Sequence, residues 1–424
     1  MASTTASFQR IANRFATVDG VLRSGPRPSR TVVLYTHPRS QTNLSSYPCP
    51  DLAELGIDTL AFNNRFTNSP AGTDVATVFE EFAWDVAAAV EHARGLGYAN
   101  VVLLGWSAGG PTMAFYQHVA ERGMDALSPT ALSGFRGFVD ASGREVALPP
   151  ADGIVLRSIT IGTAASFLIR LDGAVTDEAT GAIDPELDLY SAEHGFDPAT
   201  GTASYDPAFL GLYYRAQAVR MNRLIDSALE RVEDMARGRA RFADDDFVLI
   251  PRTRANPTTV DRSLAHRSTR PALLYPEGAT GLVEDVRPIN HEYRQNPLAA
   301  GAAVHKLRAM LSYRLTRVDA DRFDPHATTA QASGVDFTST NNSTPTNLSK
   351  VTVPVLVIQG SGDESNSVKI PTAELNSSSG PSDTTLAFVA GAMHSFHPAD
   401  ERFGDTRAIG ARAIADWIRA RYPV

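Results

Sequence analysis

The strongest chemical signal in the chain is a serine flanked by glycines, in the sequence GWSAG at residues 105–109. It directly follows the apolar run NVVLL at 100–104, and an apolar, helix-like stretch begins after it. A serine at a strand–turn–helix junction is lifted clear of the backbone, so that its hydroxyl can attack a carbonyl carbon. Flanking glycines remove side chains that would collide where strand and helix come close. The pattern favours Ser107 as a nucleophile over a purely structural glycine turn.

A serine hydroxyl is inert at neutral pH unless a base takes its proton, and an acid must orient that base. For a nucleophile on such a turn the chain order is serine, acid, histidine, each after a later strand. Only His394 and His397 follow the predicted strand 353–359. His394 comes soon after the predicted strand 384–389, whereas Pro398 restricts the backbone of His397. We favour His394 as the base and keep His397 as the alternative.

The orienting acid is expected where the strand 353–359 ends. The turn GSGDE at 360–364 follows that strand and presents a carboxylate at its tip. A buried aspartate that accepts the imidazole N–H holds the useful tautomer and stabilises the imidazolium as it forms. Asp363 is the candidate, with Glu364 and Asp172 as rivals.

An oxyanion needs two backbone N–H donors, one of them directly after the nucleophile. Ala108 supplies that first donor. The second normally comes from the loop after an early strand, here residues 37–40 (HPRS) after the strand 31–36. Pro38 has no N–H, so the amide of Arg39 is the choice, and the Arg39 guanidinium is also able to bind a substrate oxygen. His37 precedes the nucleophile and reads as a hydrogen-bonded structural histidine.

Short β-branched runs alternate with helical periodicity in the first third, which predicts a parallel sheet with helices on both faces. One helix is predicted from Thr73 or Asp74 to Gly95. An amphipathic helix over 407–421 closes the chain. The predicted strands are 31–36, 57–62, 100–104, 154–161, 353–359 and 384–389.

The middle of the chain changes character, because strand signals fade between residues 165 and 349 and long helical patterns replace them. The best of these helices starts at Asp206-Pro207, a capping residue before a proline in the first turn, and runs to Gly238. The Ser/Thr/Asn tract 338–349 is predicted to be an exposed connection. This inserted unit gives three parts: core 1–164, cap 165–349 and core 350–424.

Composition narrows the function classes. The chain has 424 residues, 43% of them hydrophobic, and a net charge of −8, which suit a globular protein and disfavour nucleic-acid binding. The single cysteine excludes an internal disulfide. We see no export signal and no apolar run of membrane-spanning length, and therefore expect a soluble, cytoplasmic protein without membrane contact. Nucleotide and metal motifs are absent from the sequence, so no cofactor and no metal are expected.

With these residues in view, the chain resembles the α/β-hydrolase superfamily, in particular its capped serine esterases and lactonases. The resemblance covers residues 20–165 and 350–424. Within the chain, 36–38 (THP), 64–65 (NR) and, outside those ranges, 171–178 (LDGAVTDE) resemble a bacterial subgroup of these enzymes. The resemblance implies an eight-stranded, mostly parallel sheet with helices on both faces, a large and mainly helical cap, and acyl-enzyme chemistry. Pro38 departs from the glycine that many members have after the histidine.

The expected activity is hydrolysis of a carboxylic ester or lactone by Ser107, His394 and Asp363. A large cap favours a bulky, mostly apolar small molecule, with Trp106 and Phe66 as candidate pocket residues or, equally, packing residues. Cleavage of a carbon–carbon or thioester bond by the same triad is the alternative within enzymes. A binding protein that kept the fold without turnover is the alternative outside them. The oligomeric state is left open, a homo-oligomer included.

Overall fold

The computed structural model describes residues 4–39, 41–67, 77–200, 202–242, 245–253, 255, 272–275, 279–281, 302–325, 333–363, 365–366 and 383–424. The predicted helix start at Thr73 or Asp74 and the rival acid Glu364 lie outside these residues.

Fourteen strands lie within the described residues, and ten of them form one sheet. Their bounds are β1 Thr5–Ala12, β2 Thr17–Ser24, β3 Thr31–Thr36, β4 Asp58–Phe62, β5 Asn100–Trp106, β6 Gly153–Arg157, β7 Phe196–Asp197, β8 Thr202–Ala203, β9 Phe247–Pro251, β10 Ala272–Tyr275, β11 Ala279–Gly281, β12 Ala302–Lys306, β13 Val355–Gly360 and β14 Thr384–Val389.

The large sheet has the order β1-β2-β4-β3-β5-β6-β13-β14-β10-β11. Neighbours from β4 to β10 pair in parallel, while the β1–β2, β2–β4 and β10–β11 pairs are antiparallel. Parallel strands all present their carboxyl ends at one edge, so the residues after β5, β13 and β14 meet there. The predicted mostly parallel sheet is confirmed.

The sheet has ten strands in the described residues rather than the expected eight. The first eight in spatial order, β1 to β14, are the expected sheet, and β10 and β11 come from the insertion. β10 pairs in parallel with β14, from Ala272 opposite Leu386 to Tyr275 opposite Val389. This pairing satisfies backbone groups that β14 would otherwise expose as an edge strand. Part of the segment predicted as an insertion therefore extends the core sheet.

Eight α-helices are described. Their bounds are α1 Cys49–Glu54, α2 Phe82–Gly95, α3 Gly109–Arg122, α4 Thr163–Arg170, α5 Pro207–Ala236, α6 Leu307–Tyr313, α7 Thr344–Leu348 and α8 Thr406–Arg419. Helices α2 and α3 share an apolar core with Val32 and Leu34 on one face of the sheet. Helices α1 and α8 pack on the other face with Val33 and Tyr35. This alternation along β3 places helices on both faces, as predicted.

The insertion has an apolar core of its own, built mainly from α4, α5 and α6. Helix α5 begins as the sequence predicts, since the Asp206 side chain accepts the N–H of Ala208 and Pro207 occupies the first turn. Arg220, nearly fully buried on α5, pairs with Glu178 at 2.6 Å and donates to the carbonyl oxygen of Asp172 at 2.8 Å. The segment 171–178 that carries part of the family resemblance therefore anchors this helix.

Two local expectations were wrong. The predicted strand 154–161 ends at Arg157, because Ser158 has a left-handed backbone with φ of 48°. The tract 338–349 is largely buried rather than exposed. Its amides bond to backbone groups, as when Asn342 Oδ1 accepts the N–H of Thr163 at 3.0 Å. A composition typical of loops is used here to satisfy buried polar groups.

Among the described helices, none combines the length and the apolar character that crossing a lipid bilayer requires.

Candidate active site

The turn between β5 and α3 holds Ser107 in an unusual backbone conformation. Its φ is 51°, in the left-handed region that side chains rarely adopt. Its N–H donates to the carbonyl oxygen of Arg157 at 3.0 Å, and its own carbonyl oxygen accepts from Gly110 N–H at 3.0 Å. These bonds fix a strained turn that presents the serine at the carboxyl edge of the sheet.

The neighbouring glycines are required by space. A Cβ on Gly105 would lie 2.4 Å from the carbonyl oxygen of Gly109, and one on Gly109 would lie 2.9 Å from that of Thr36. A Cβ on Gly110 would lie 2.7 Å from Cγ2 of Ile159. Strand and helix therefore approach more closely than any side chain at these positions allows.

The carboxylate and the imidazole predicted after β13 and β14 are in contact. His394 Nδ1 lies 3.1 and 3.0 Å from the two oxygens of Asp363, whose side chain is buried. The same carboxylate accepts from Gln359 Nε2 at 2.7 Å and from the N–H groups of Ser365 and Asn366, each at 2.9 Å. An ionised carboxylate only accepts, so the proton lies on Nδ1 and Nε2 remains the basic nitrogen.

The rival residues lie elsewhere. His397 is exposed and lines a different cavity from the one that contains Ser107. Asp172 is buried in an ion pair with Arg252 and accepts from the hydroxyl of Tyr213 at 3.0 Å. The geometry therefore brings Asp363 to His394 and leaves Asp172 inside the insertion.

A cavity of about 480 Å³ contains both Ser107 and His394. Polar groups make up much of its described wall, so it differs from the mostly apolar pocket expected from the cap size. The polar residues of this wall include Thr160, Thr163, Ser166, Arg170, His305 and Arg314. His305 accepts from Arg314 Nε at 3.3 Å, and burial lowers its pKa to about 3 with help from the Arg314 charge. It therefore presents a neutral imidazole to the cavity.

No protein-family model matches the chain, and no curated protein matches it in sequence. Solved structures are similar over nearly full length at low identity. They include a dienelactone hydrolase from Anabaena variabilis (11% identity, 99% of each chain, TM-score 0.40), a siderophore hydrolase, EstB, from Aspergillus fumigatus (12%, 98% of each chain, 0.44) and a monoacylglycerol lipase from Paleococcus ferrophilus (16%, 95% of this chain and 98% of that one, 0.38). The chain has the α/β-hydrolase fold. Its strand order and the elbow after β5 decide this.

Of the two backbone N–H groups expected to bind an oxyanion, only that of Ala108 is positioned to do so in this structure. Ala108 precedes the first residue of α3, where backbone N–H groups have no acceptor within the helix. The N–H of Arg39 instead donates to the carbonyl oxygen of His37 at 2.8 Å. Pro38 is the middle residue of that tight turn, and its fixed φ suits it. The second donor is therefore occupied within its own loop in this structure.

The two candidate pocket residues do not line the described wall of the Ser107 cavity. The indole of Trp106 lies 5.2 Å, centroid to centroid, from the ring of His394, and its N–H donates to the His394 carbonyl oxygen at 3.0 Å. Phe66 stacks on Tyr313, which does line the cavity, at 6.3 Å. Trp106 therefore packs against His394, and Phe66 packs against Tyr313, without lining the cavity themselves.

His37 differs from its sequence interpretation. Its Nδ1 is buried without a hydrogen-bond partner among the described residues, and its ring lies 5.1 Å from that of Trp106. Burial lowers its pKa to about 3, and the charges of Arg39, His394 and Arg157 act in the same direction. Sequence reasoning missed Arg157 altogether, because no local motif marks a buried arginine at the end of β6.

Proposed function

We propose that the chain is a serine hydrolase that cleaves a carboxylic ester or lactone through an acyl-enzyme. One observation carries the proposal: a buried Asp363 orients His394, whose ring shares a cavity with a serine on a strained elbow. A buried acid, an oriented imidazole and a hydroxyl that faces a cavity are the three parts that nucleophilic acyl transfer needs.

In the first half-reaction the Ser107 hydroxyl attacks the carbonyl carbon while His394 Nε2 accepts its proton. Asp363 stabilises the imidazolium that forms. The oxyanion receives the N–H of Ala108 at the start of α3. Collapse of this intermediate releases the alcohol, which takes the proton from His394. A water then attacks the acyl-enzyme by the same steps and releases the acid.

The amide of Arg39 becomes a second oxyanion donor only when the turn over Pro38 opens. Its present bond to the His37 carbonyl oxygen, at 2.8 Å, must be exchanged for one to the substrate. Such an exchange replaces one hydrogen bond with a stronger one to a charged acceptor. We propose that the turn over Pro38 opens when the substrate binds.

We propose that residues 165–349 act as a cap that sets the shape of the substrate. Helix α4 provides Ser166 and Arg170 to the cavity wall, and the segment around α6 provides His305 and Arg314. Hydroxyl, neutral imidazole and guanidinium groups in this wall favour an ester that carries hydroxyl or other polar groups. An alkyl chain would displace water from these groups without offering them a hydrogen bond in return.

The proposal is tested with a fluorophosphonate probe and a substrate panel. Folded protein should be labelled at Ser107, and Ser107→Ala should abolish labelling and lower kcat by on the order of 10⁴ or more. Residual activity within tenfold of the parent would remove the serine from the mechanism. Failure to label the folded parent would favour a binding protein of the same fold.

The panel separates the substrate classes. It should contain aryl esters and lactones of graded size, each alkyl compound matched by a hydroxylated one of equal length. We expect the hydroxylated member of each pair to have the higher kcat/KM. A consistent preference for the alkyl members would contradict the polar-substrate proposal without touching the triad.

A further inference from the structure

A second cavity, of about 300 Å³, is lined by Trp106, the residue that precedes Ser107. The two share no lining residue among those described. They nevertheless border the same chain segments, because Trp106 precedes the nucleophile and Ser395 follows the catalytic histidine. Three arginines, Arg39, Arg157 and Arg407, line this second cavity.

Arg157 is the most unusual of the three. Its side chain is almost fully buried, at 2% exposure, and its Nε and Nη1 have no hydrogen-bond partner among the described groups. Its guanidinium carbon lies 4.8, 4.9 and 5.0 Å from the ring centroids of Tyr47, Trp106 and Phe396. Aromatic faces attract a cation, but they do not replace hydrogen-bond acceptors for its N–H groups.

The other two arginines add charge rather than neutralise it. The guanidinium carbon of Arg407 lies 4.6 Å from the centroid of the Tyr47 ring, which Arg157 also contacts. The buried Nε of Arg407 likewise has no hydrogen-bond partner among the described groups. Arg39 donates only to neutral groups, among them Asn43 Oδ1 at 3.0 Å and Ser46 Oγ at 2.5 Å. None of the three forms an ion pair with a carboxylate in the described part of the chain.

The charge of Asp363 acts on Arg157, but this carboxylate already accepts from His394. Burial lowers the pKa of Arg157, and the charge of Arg407 acts in the same direction. A guanidinium nevertheless remains protonated near neutral pH. Three cations thus surround one small cavity in a chain whose net charge is −8. Uncompensated buried charge is costly, and a bound anion would remove much of that cost.

We propose that this cavity is a binding site for a small oxyanion of the carboxylate or phosphate type. Arg157 and Arg407 would donate the N–H groups that now lack partners, and Arg39 would close the third side. Two sources supply this chemistry: a free anion in solution, or an acidic substituent of the ester that reaches past Trp106. The inference goes beyond hydrolysis itself, since binding here does not require Ser107.

Calorimetric titration with inorganic phosphate and, separately, acetate tests the site at an ionic strength held constant with chloride. We expect saturable binding at one site for at least one of these anions. Arg407→Gln should weaken binding at least tenfold, whereas Arg412→Gln, an exposed arginine on the same helix, should change it less than twofold. No saturable binding, or equal affinity in both variants, would overturn the proposal.

A stability measurement covers the possibility that the buried arginine is purely structural. A ligand of the native state raises the melting temperature, so phosphate should raise the Tm of the parent above that in matched chloride. Arg157→Met should fold with a Tm that no longer depends on phosphate. If Arg157→Met fails to fold, the comparison of Arg407→Gln with Arg412→Gln tests the anion site by itself. A phosphate-dependent rise that survives in Arg407→Gln would place the anion elsewhere.

Hydrolysis of matched neutral and acidic aryl esters identifies the source. If the acid group of the substrate occupies the cavity, Arg407→Gln raises KM for the acidic ester only. If a free anion occupies it, the variant treats both esters alike, and phosphate changes the parent's rate with both. Repeating the calorimetry on Ser107→Ala separates the two proposals, because anion binding should survive there even if the chain proves not to be a hydrolase.

Discussion

Replacing Asp363 with asparagine is the sharpest perturbation that the site offers, because at nearly unchanged volume it removes the negative charge and exchanges one acceptor for a donor. Oδ1 accepts the backbone N–H groups of Ser365 and Asn366, which cannot move, so the amide oxygen of the asparagine takes that position. Its NH2 group then takes the place of Oδ2, which faces His394 Nδ1 at 3.0 Å and Gln359 Nε2 at 2.7 Å.

The two neighbours respond differently to this new donor. Gln359 has a buried Oε1 without a partner among the described groups, so rotation of its amide turns a clash of donors into a hydrogen bond. His394 accepts the new N–H only if Nδ1 loses its proton, which then moves to Nε2. That tautomer cannot take the proton of the Ser107 hydroxyl.

The expected result is a folded protein with a severe catalytic defect. A wrong tautomer lowers kcat by on the order of 10⁴, equivalent to about 5 kcal/mol on the barrier. Stability should fall by only about 1–2 kcal/mol, since each hydrogen bond is remade, the one to the imidazole with its direction reversed. Initial rates with an aryl ester and urea unfolding measure the two quantities.

Asp172→Asn is the matched control, because this second buried aspartate was the rival acid. It accepts from Arg252 and Tyr213 within the insertion, so its loss should lower stability more than kcat. A kcat within tenfold of the parent for Asp363→Asn would refute the reasoning. A larger loss of kcat in Asp172→Asn than in Asp363→Asn would refute it as well.

Three further outcomes are expected. His394→Ala should lower kcat by on the order of 10⁴ while His397→Ala stays within tenfold, and the reverse ranking in initial rates would exchange the two roles. Gly105→Ala should lower the free energy of unfolding by about 1–3 kcal/mol, because the new Cβ would lie 2.4 Å from the carbonyl oxygen of Gly109. A Cβ on Gly95 would have no atom within 4 Å, so Gly95→Ala should not destabilise the protein. His305, whose pKa falls to about 3 on folding, binds a proton only in the unfolded state between that pH and about 6.5. Stability should therefore fall as pH drops through this range, by up to about 1.4 kcal/mol per pH unit, and urea unfolding of His305→Gln should show a shallower slope.

The parts that could be predicted from the sequence are those set by local chemistry. The elbow around Ser107 follows from glycine spacing, and the start of α5 follows from Asp206 and Pro207. The pairing of Asp363 with His394 could be predicted, because residues that follow parallel strands meet at one edge of the sheet and their order along the chain restricts the candidates. Each of these inferences needed only a short window or a rule of connectivity.

The parts that were missed depend on partners distant in the chain. Strand β1 is mostly exposed, and neither β1 nor β2 shows a clear apolar alternation, so the hairpin gave no strand signal. The addition of β10 to β14 joins residues more than 100 positions apart in sequence. The second cavity likewise needs Tyr47, Arg157 and Arg407 from three regions of the chain, and no single window contains its charge.

Hydrogen bonds fix the position of one polar part of the wall of the Ser107 cavity. Helix α6, which ends at Tyr313 next to Arg314, is tied to the core by hydrogen bonds: Ser312 Oγ accepts the N–H of Phe79 at 2.7 Å and donates to the buried carboxylate of Glu80. Such bonds are costly to leave unmade in a buried place, so this part of the wall keeps its position whether or not substrate is bound. The guanidinium of Arg314 is therefore positioned by folding. A substrate with a polar group at the matching distance from its carbonyl should gain binding without rearranging this part of the wall.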